Sequence, residues 1–355
     1  MVHALRERPV LFRAARWRED RKAGSRGYAD MSGPRQGRGG AKGRNGPVLT
    51  GVFGDPVEHS LSPAMHNAAF RSLGLPFLYL KFRVPVSSLR AALRGVRILG
   101  FRGVNLTIPL KEAALGLMDK LTPQAERVGA VNTVTIEGGR FEGHNTDGEG
   151  FLRSLRETWR FRPRGKRVML LGAGGAARAV AFALGGAGAR EIVIVNRTPG
   201  RARSLARAVA RATRASVTAA RLWRGTPWER ILEGADLIVN ATSVGMKRGE
   251  TPVPPSVVRP PIRVVDLVYS PPTTKLVGAV SRRGVRAMNG EGMLVHQGAL
   301  AFERWTGMPA PVRIMRRAFR SAMAGAEKGG MRAHFGGPRA CVTFARPIEF
   351  KSRRV

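Results

Sequence analysis

The chain holds one cysteine, Cys341, in 355 residues. It therefore has no intramolecular disulfide and no cysteine-built zinc site, and a reducing cytoplasm is the expected location. Tyrosine is scarce, at three, and aromatic residues make up 6%; a specific nucleic-acid reader interleaves aromatics with a basic patch, and that supply is missing. No stretch approaches the roughly 18 uninterrupted apolar residues of a membrane helix, so no spanning segment is expected. His59, His66, His144 and His296 are too dispersed to read together as ligands, so no metal is expected. Acidic side chains are also few, 24 against 61 Lys and Arg, for a formal net charge of +37.

That excess is spread along the chain. Residues 1–46 carry twelve basic and four acidic side chains, 326–355 carry seven and two, and the rest of the surplus lies between. Diffuse arginine resembles compositional drift more than a built face. Such a surface should bind polyanions loosely at low salt and hasten the arrival of anionic ligands. Residues 1–46, with Gly-Arg-Gly-Gly-Ala-Lys-Gly-Arg and no apolar period, read as a disordered basic extension. They lack a signal-peptide apolar core, and Met31 is an alternative start. Residues 326–355 read as a second disordered basic tail.

The most specific text is Leu170-Leu171-Gly172-Ala173-Gly174-Gly175-Ala176-Ala177. Gly172, Gly174 and Ala177 fit G-x-G-x-x-G/A: a tight turn, bare backbone against a pyrophosphate, and a small residue where helix meets strand. Arg167 to Leu171 reads as a buried strand, Gly175 to Leu184 as an Ala-rich helix, and Glu191 to Val195 as a second strand. An NAD-binding chain would place a carboxylate at the end of that strand to hold the ribose hydroxyl. Here stand Asn196-Arg197-Thr198, so a 2′-phosphate meets a guanidinium, and NADP is the expected cofactor.

Ahead of this unit, strands over Val48 to Phe53, Phe77 to Phe82 and Gly103 to Thr107 alternate with helices over Ser62 to Leu73 and Ser88 to Leu99. Val131 to Glu137 and Arg140 to Asn145 flank Gly138-Gly139 as a hairpin, so the first sheet is expected to be mixed. The loops after the strands are polar: Ser60-Leu61-Ser62, then Asn105-Leu106-Thr107-Ile108-Pro109-Leu110-Lys111, with Asn132 and Asn145-Thr146-Asp147-Gly148 to follow. They supply hydroxyls, amides, one ammonium and one carboxylate at strand ends, where open α/β sheets bind ligands. Each has a plainer reading: Ser62 with Pro63 behind it caps a helix, Asn105 and Asn132 satisfy turns, and Asp147 caps the helix starting at Gly148. Lys111 resists such a reading, because it opens a helix where a cation meets the wrong end of the dipole. A lysine so placed, with Asp147 as partner, can pass a proton during hydride transfer.

These motifs, followed by Asn240-Ala241-Thr242-Ser243-Val244-Gly245-Met246, Asp266-Leu267-Val268-Tyr269 and Gly290-Glu291-Gly292-Met293-Leu294-Val295-His296-Gln297, resemble in order and spacing the signatures of the shikimate dehydrogenase family, over about residues 48 to 320. The resemblance implies that Ser60 and Ser62 hold the substrate carboxylate, and that Asn105, Thr107, Asn132 and Asp147 take ring hydroxyls. It makes Lys111 the acid/base group with Asp147 beside it, and closes Tyr269 and Gln297 over the substrate. On the cofactor side it implies Gly172, Ala173, Gly174, Gly175 and Ala176 at the pyrophosphate. Asn196, Arg197, Thr198 and Arg201 would surround the 2′-phosphate, with Leu267 and Gly290 at the nicotinamide. The substrate pair would be shikimate and 3-dehydroshikimate. His144 and Glu149 depart from the family pattern around Asn-Thr-Asp.

The expected fold is therefore α/β: a mixed-sheet substrate domain over 47–147, a Rossmann-type NADP-binding domain over 148–288, and helices over 289–325, amphipathic at Gly292 to Trp305 and Pro311 to Met323, that return to the first sheet. Monomer and homodimer both remain open. So do a quinate/shikimate paralogue, a folate-linked dehydrogenase and a polyanion binder on a dehydrogenase fold.

Overall fold

The structure is a computed structural model that describes residues 46–222, 225–247 and 249–329. The two basic terminal segments, apart from their residues nearest the core, and Cys341 lie outside the described residues.

The first sheet contains β1 (Val48–Gly54), β2 (Phe77–Arg83), β3 (Gly103–Leu106), β4 (Lys120–Leu121), β5 (Thr133–Glu137) and β6 (Arg140–His144) in the order β2-β1-β3-β5-β6-β4. β1 runs parallel to both β2 and β3, whereas β5 is antiparallel to β3 and to β6, so the sheet is mixed. Parallel pairing needs crossover helices, and the chain supplies α1 (Ser62–Ser72) and α2 (Leu89–Ile98). Ser62 is not the cap expected of it. Leu61 occupies the N-cap position and Ser62 is the first helical residue, with no side-chain cap hydrogen bond. Pro63 in the first turn already supplies a fixed φ suited to a helix start, which frees the Ser62 hydroxyl.

Two short helices follow β3, α3 (Leu110–Ala113) and α4 (Pro123–Val128), and then α5 (Asp147–Trp159) leads into the second sheet. That sheet comprises β7 (Arg167–Leu171), β8 (Glu191–Asn196), β9 (Ser216–Arg221), β10 (Leu237–Asn240), β11 (Arg263–Asp266) and β12 (Arg286–Met288). Its order is β12-β11-β10-β7-β8-β9, with every pair parallel. This is the doubly wound 3-2-1-4-5-6 arrangement, whose order reverses beside β7, where the glycine turn emerges. Helices α6 (Gly175–Gly186), α7 (Pro199–Ala212), α8 (Trp228–Leu232) and α9 (Lys275–Ser281) are its connections.

Two closing helices, α10 (Glu291–Thr306) and α11 (Val312–Gly329), return to the first sheet. α11 packs on α1, while α10 lies along α5. α10 is not the one-faced amphipath expected of it. Met293 joins the core under the second sheet, and Val295, Ala299, Ala301, Phe302 and Trp305 join the core of the first, so the helix is buried on most sides. Trp305 is 1% exposed and its indole N–H donates to the Val134 carbonyl at 3.1 Å. A buried Trp with its one donor satisfied is worth about 3–5 kcal/mol against alanine, so α10 is integral to the first sheet. Among the described residues no helix is long and apolar enough to cross a membrane.

Candidate active site

Lys111 and Asp147 stand 36 positions apart, yet the Lys111 ammonium donates to Asp147 Oδ2 at 2.5 Å. Backbone bonds place each of them. The Val131 N–H donates to the Lys111 carbonyl at 2.8 Å, which pins α3 to the strap entering β5. Asp147 is the first residue of α5, where its charge suits the helix dipole. Its N–H is taken by Asn145 Oδ1 at 3.2 Å, and Asp147 caps nothing with its own side chain. The carboxylate is thus left for two side chains: Lys111 on Oδ2, and Asn132 Nδ2 on Oδ1 at 2.8 Å.

Asn132 is the junction of the network. Its amide nitrogen also faces Thr146 Oγ1 at 2.9 Å and Gln297 Oε1 at 3.2 Å, and its Oδ1 accepts from the Thr146 N–H at 2.7 Å. Asn105 Nδ2 donates to the Asn132 carbonyl at 3.1 Å and to Thr133 Oγ1 at 3.0 Å. Asn105 Oδ1 accepts from the Tyr79 hydroxyl at 2.8 Å, and Tyr79 also lies beside the Ser62 hydroxyl. Burial pushes the Tyr79 phenol above its ordinary range, which keeps it a donor. The asparagines, Asp147 and Gln297 are all under 10% exposed, so unpaired atoms here would cost about 1–3 kcal/mol each.

The remaining substrate-side residues stand differently. Ser60 Oγ accepts from the Ser62 N–H at 3.4 Å. The Thr107 hydroxyl has no hydrogen-bond partner among the described residues, while the Thr107 backbone N–H donates to Phe53 O at 2.9 Å. Tyr269 is half-buried with its ring edge-on to Phe319 at 5.8 Å, and makes no hydrogen bond to the Lys111 network among the described residues. His144 is 4% exposed, its Nε2 is 3.1 Å from Thr135 Oγ1, and burial lowers its pKa to about 4. Glu149 pairs with Arg153 one turn along α5. Neither of these departures from the family pattern touches the lysine or the aspartate.

Across from Lys111, the turn after β7 is shaped by two different demands. Gly172 has φ +112, and a Cβ there would sit 2.9 Å from the Ala241 carbonyl, so the fold itself requires glycine. Gly174 has extended backbone (φ −93, ψ −174), and a Cβ there would meet no heavy atom within 4 Å. The open space lies at the N-terminus of the twelve-residue α6, whose free N–H groups suit a phosphate. Ala173 and Ala177 are buried behind it, and Ala176 continues the helix.

At the end of β8, Asn196 Nδ2 donates to the Thr198 carbonyl at 3.1 Å, and Arg197 is exposed with no partner among the described residues. Arg201, on the first turn of α7, reaches Glu112 of α3 at 3.4 Å. Leu267 and Gly290 touch, since a Cβ on Gly290 would lie 2.1 Å from the Leu267 carbonyl. Beneath them Asp266 is fully buried; it accepts from Asn240 at 2.8 Å and from Thr274 at 2.7 Å, and burial raises its carboxyl. An open phosphate cradle and an unpaired arginine where NAD binders carry a carboxylate fit a 2′-phosphorylated dinucleotide. Among the described residues no group of His, Cys, Asp or Glu could hold a metal.

Sequence reasoning missed Tyr79, Thr133 and the bracing role of Asn145. A rare tyrosine inside an apolar strand was the available signal, because a buried phenol needs a hydrogen-bond partner.

A mixed-sheet half set against a 3-2-1-4-5-6 half, with a lysine–carboxylate pair facing the glycine turn, is the architecture of a two-lobed dinucleotide-dependent dehydrogenase. Residues 52–134 match the shikimate dehydrogenase substrate binding domain, 158–248 the shikimate / quinate 5-dehydrogenase family, and 290–318 the shikimate 5′-dehydrogenase C-terminal domain. The shikimate dehydrogenase (NADP(+)) of Methanopyrus kandleri is 53% identical over 76% of this chain and 94% of its own. That of Moorella thermoacetica is 51% identical over 79% and 95%. The Thermus thermophilus shikimate 5-dehydrogenase, solved with NADP(H) and shikimate, superposes with a TM-score of 0.70 at 43% identity, covering 78% of this chain and 99% of that one. A quinate dehydrogenase from Corynebacterium glutamicum solved with NAD gives 0.72 at 34%, covering 78% of this chain and 100% of that one. The chain belongs to the shikimate dehydrogenase family.

Proposed function

We propose that this protein is a shikimate dehydrogenase, reducing 3-dehydroshikimate to shikimate with NADPH and catalysing the reverse oxidation. One observation carries the mechanism: the Lys111 ammonium is held at 2.5 Å by Asp147 while the lysine stem rests on the glycine turn. The chemistry NADPH supplies when bound is a hydride. Lys111 delivers the proton that the ring oxygen needs as its negative charge develops, and takes it back in the oxidation; such a donor contributes about 10²–10⁴-fold. Asp147 keeps the ammonium aimed, and Asn132 keeps Asp147 aimed.

Ser60 and Ser62 offer hydroxyls to the substrate carboxylate, Asn105, Thr107, Asn132 and Asp147 address the ring hydroxyls, and Gln297 closes over the substrate. Tyr269 covers the substrate from the α11 side. Gly172, Ala173, Gly174, Gly175 and Ala176 hold the pyrophosphate, Asn196, Arg197, Thr198 and Arg201 the 2′-phosphate, and Leu267 and Gly290 the nicotinamide end. Both ligands are small, polar and anionic, which fits the cytoplasm as the site of reaction. Residues 47–147 with 289–325 serve the substrate and 148–288 the cofactor.

Pure protein mixed with shikimate should reduce NADP+ in preference to NAD+, and should act on quinate poorly. Arg197→Ala should collapse the preference by raising KM for NADP+ alone. Equal rates with both cofactors in the wild type would refute the 2′-phosphate assignment.

A further inference from the structure

Arg178 is unclaimed by the mechanism, although it joins the two halves at a consequential point. It lies one turn into α6, its own N–H donating to the Gly174 carbonyl at 2.8 Å, so it is rigidly connected to the pyrophosphate turn. Its guanidinium leaves that half: Nε donates to the Val128 carbonyl of α4 at 2.7 Å. The last carbonyls of a helix lack partners within it. In α4 the Gly129 N–H satisfies Ala125 O and Glu126 O at 2.9 and 3.1 Å, and Arg178 satisfies Val128 from the other half. The fit depends on Gly129. A Cβ there would stand 2.7 Å from Arg178 Nη2, so the guanidinium lies flat on bare backbone.

The residues just after this grip hold the catalytic pair one by one. Ala130 O accepts from Asn145 at 2.9 Å, and Asn145 in turn braces the Asp147 N–H. The Val131 N–H fixes the Lys111 carbonyl, and the Asn132 amide fixes the Asp147 carboxylate. A second contact sets the same register: a Cβ on Gly175 would be 3.3 Å from both Cβ and Cδ of Lys111. Helix α6 therefore touches the lysine directly and grips its scaffold through Arg178.

We infer that Arg178 is a positioning residue that couples cofactor binding on α6 to the placement of Lys111 and Asp147, a role that rests on the dehydrogenase reading above. A dinucleotide that orders the first turns of α6 also fixes where Val128 sits, and the strap from Val128 to Asn132 passes that placement to the pair. By reciprocity, substrate bound against Asn132 and Lys111 must tighten the cofactor by the same factor.

The test uses the full-length wild type, Arg178→Ala and Arg178→Lys. Each is titrated calorimetrically with NADPH, which cannot oxidise shikimate, alone and at saturating shikimate, and kcat, KM and the thermal midpoint are measured alongside. In the wild type shikimate should tighten NADPH by about 5-fold or more, the usual floor for site-to-site coupling. Arg178→Ala should bind NADPH alone within about 2-fold of wild type, lose most of the coupling so that KM at a saturating partner rises by about the factor lost, and lose about 10–100-fold in kcat, the usual scale of a misplaced catalytic group. Arg178→Lys, which can still reach one carbonyl, should fall between.

The inference is overturned by a wild type without coupling, or by an Arg178→Ala whose coupling and kcat match wild type. It is also overturned if NADPH affinity and thermal midpoint fall while kcat and coupling persist, which is the signature of a merely structural arginine. A wild type that leaves shikimate unoxidised refutes the functional reading instead.

Discussion

Truncating Lys111 to alanine perturbs two things at once, and the structure separates them. The Asp147 side chain is 4% exposed and would keep only the Asn132 N–H. Removing one partner of a buried pair costs about 3–5 kcal/mol. The surviving amide contact, and the 14% exposure of the lysine side chain, put this case near 3 kcal/mol. For a chain of this size that is a fall of about 4–5 °C in thermal midpoint. Turnover should drop about 10²–10⁴-fold, as expected for loss of an acid/base group. A second substitution distinguishes the two losses: Lys111→Ala with Asp147→Asn replaces the stranded carboxylate by a neutral amide that can still accept from Asn132. The double variant should regain most of the midpoint and none of the turnover, measured by reduced-nicotinamide absorbance in both directions. Turnover within about 3-fold of wild type in the single variant, or rescued turnover in the double, would refute proton transfer by Lys111.

The glycine turn offers a contrast. Gly174→Ala should leave the midpoint unchanged, since no atom lies within 4 Å of its new methyl, yet weaken NADP+ by about tenfold or more as that methyl meets the pyrophosphate. Gly172→Ala should instead destabilise the fold by about 1–3 kcal/mol, because of its positive φ and the Ala241 carbonyl; identical midpoints for the two variants would contradict this division. Part of the acid sensitivity should trace to His66, beside a share from His144, since His66 is fully buried, stacked on Tyr79 at 4.3 Å, and lowered by burial to about 3. Its folded pKa lies below the unfolded value near 6.5, so the unfolded chain binds the extra proton. Stability therefore falls as pH drops from about 6.5 toward 3, by about 1.4 kcal/mol per unit from this residue. His66→Phe should flatten that slope in chemical-denaturation series across pH, and an unchanged slope would remove His66 as its source.

Much of this was legible in the sequence. The strand and helix periods located five strands of the first sheet and β7 and β8 of the second to within about two residues, because alternating buried positions and glycine-bounded turns are local properties; β4 and β9 to β12 were not placed. The mixed character of the first sheet followed from the Gly138-Gly139 hairpin, and the cofactor turn from glycine spacing set between a strand and a helix. Less legible were the positions that depend on what arrives from elsewhere. Ser62 looked like a cap because Ser before a helix usually is one, and Glu291–Thr306 looked one-faced because its second covering comes from α5 and the first sheet together. Tyr79 signalled locally only that its phenol needs a partner, and not that the partner is Asn105, 26 positions later.

The sequence by itself determined which chemical groups are present, an ammonium, a carboxylate, four amide-bearing neighbours and a carboxylate-free second strand end, because these are matters of residue type and short-range spacing. Only the tertiary structure decided that Lys111, Asn132, Asp147 and Gln297 share one hydrogen-bonded network, and that Arg178 crosses from one half to the other to grip it. The physical reason is range: strand period and turn chemistry act over a few residues, whereas hydrogen bonds between groups 36 to 165 positions apart exist only after the loops of the first sheet and the returning α10 have been brought together.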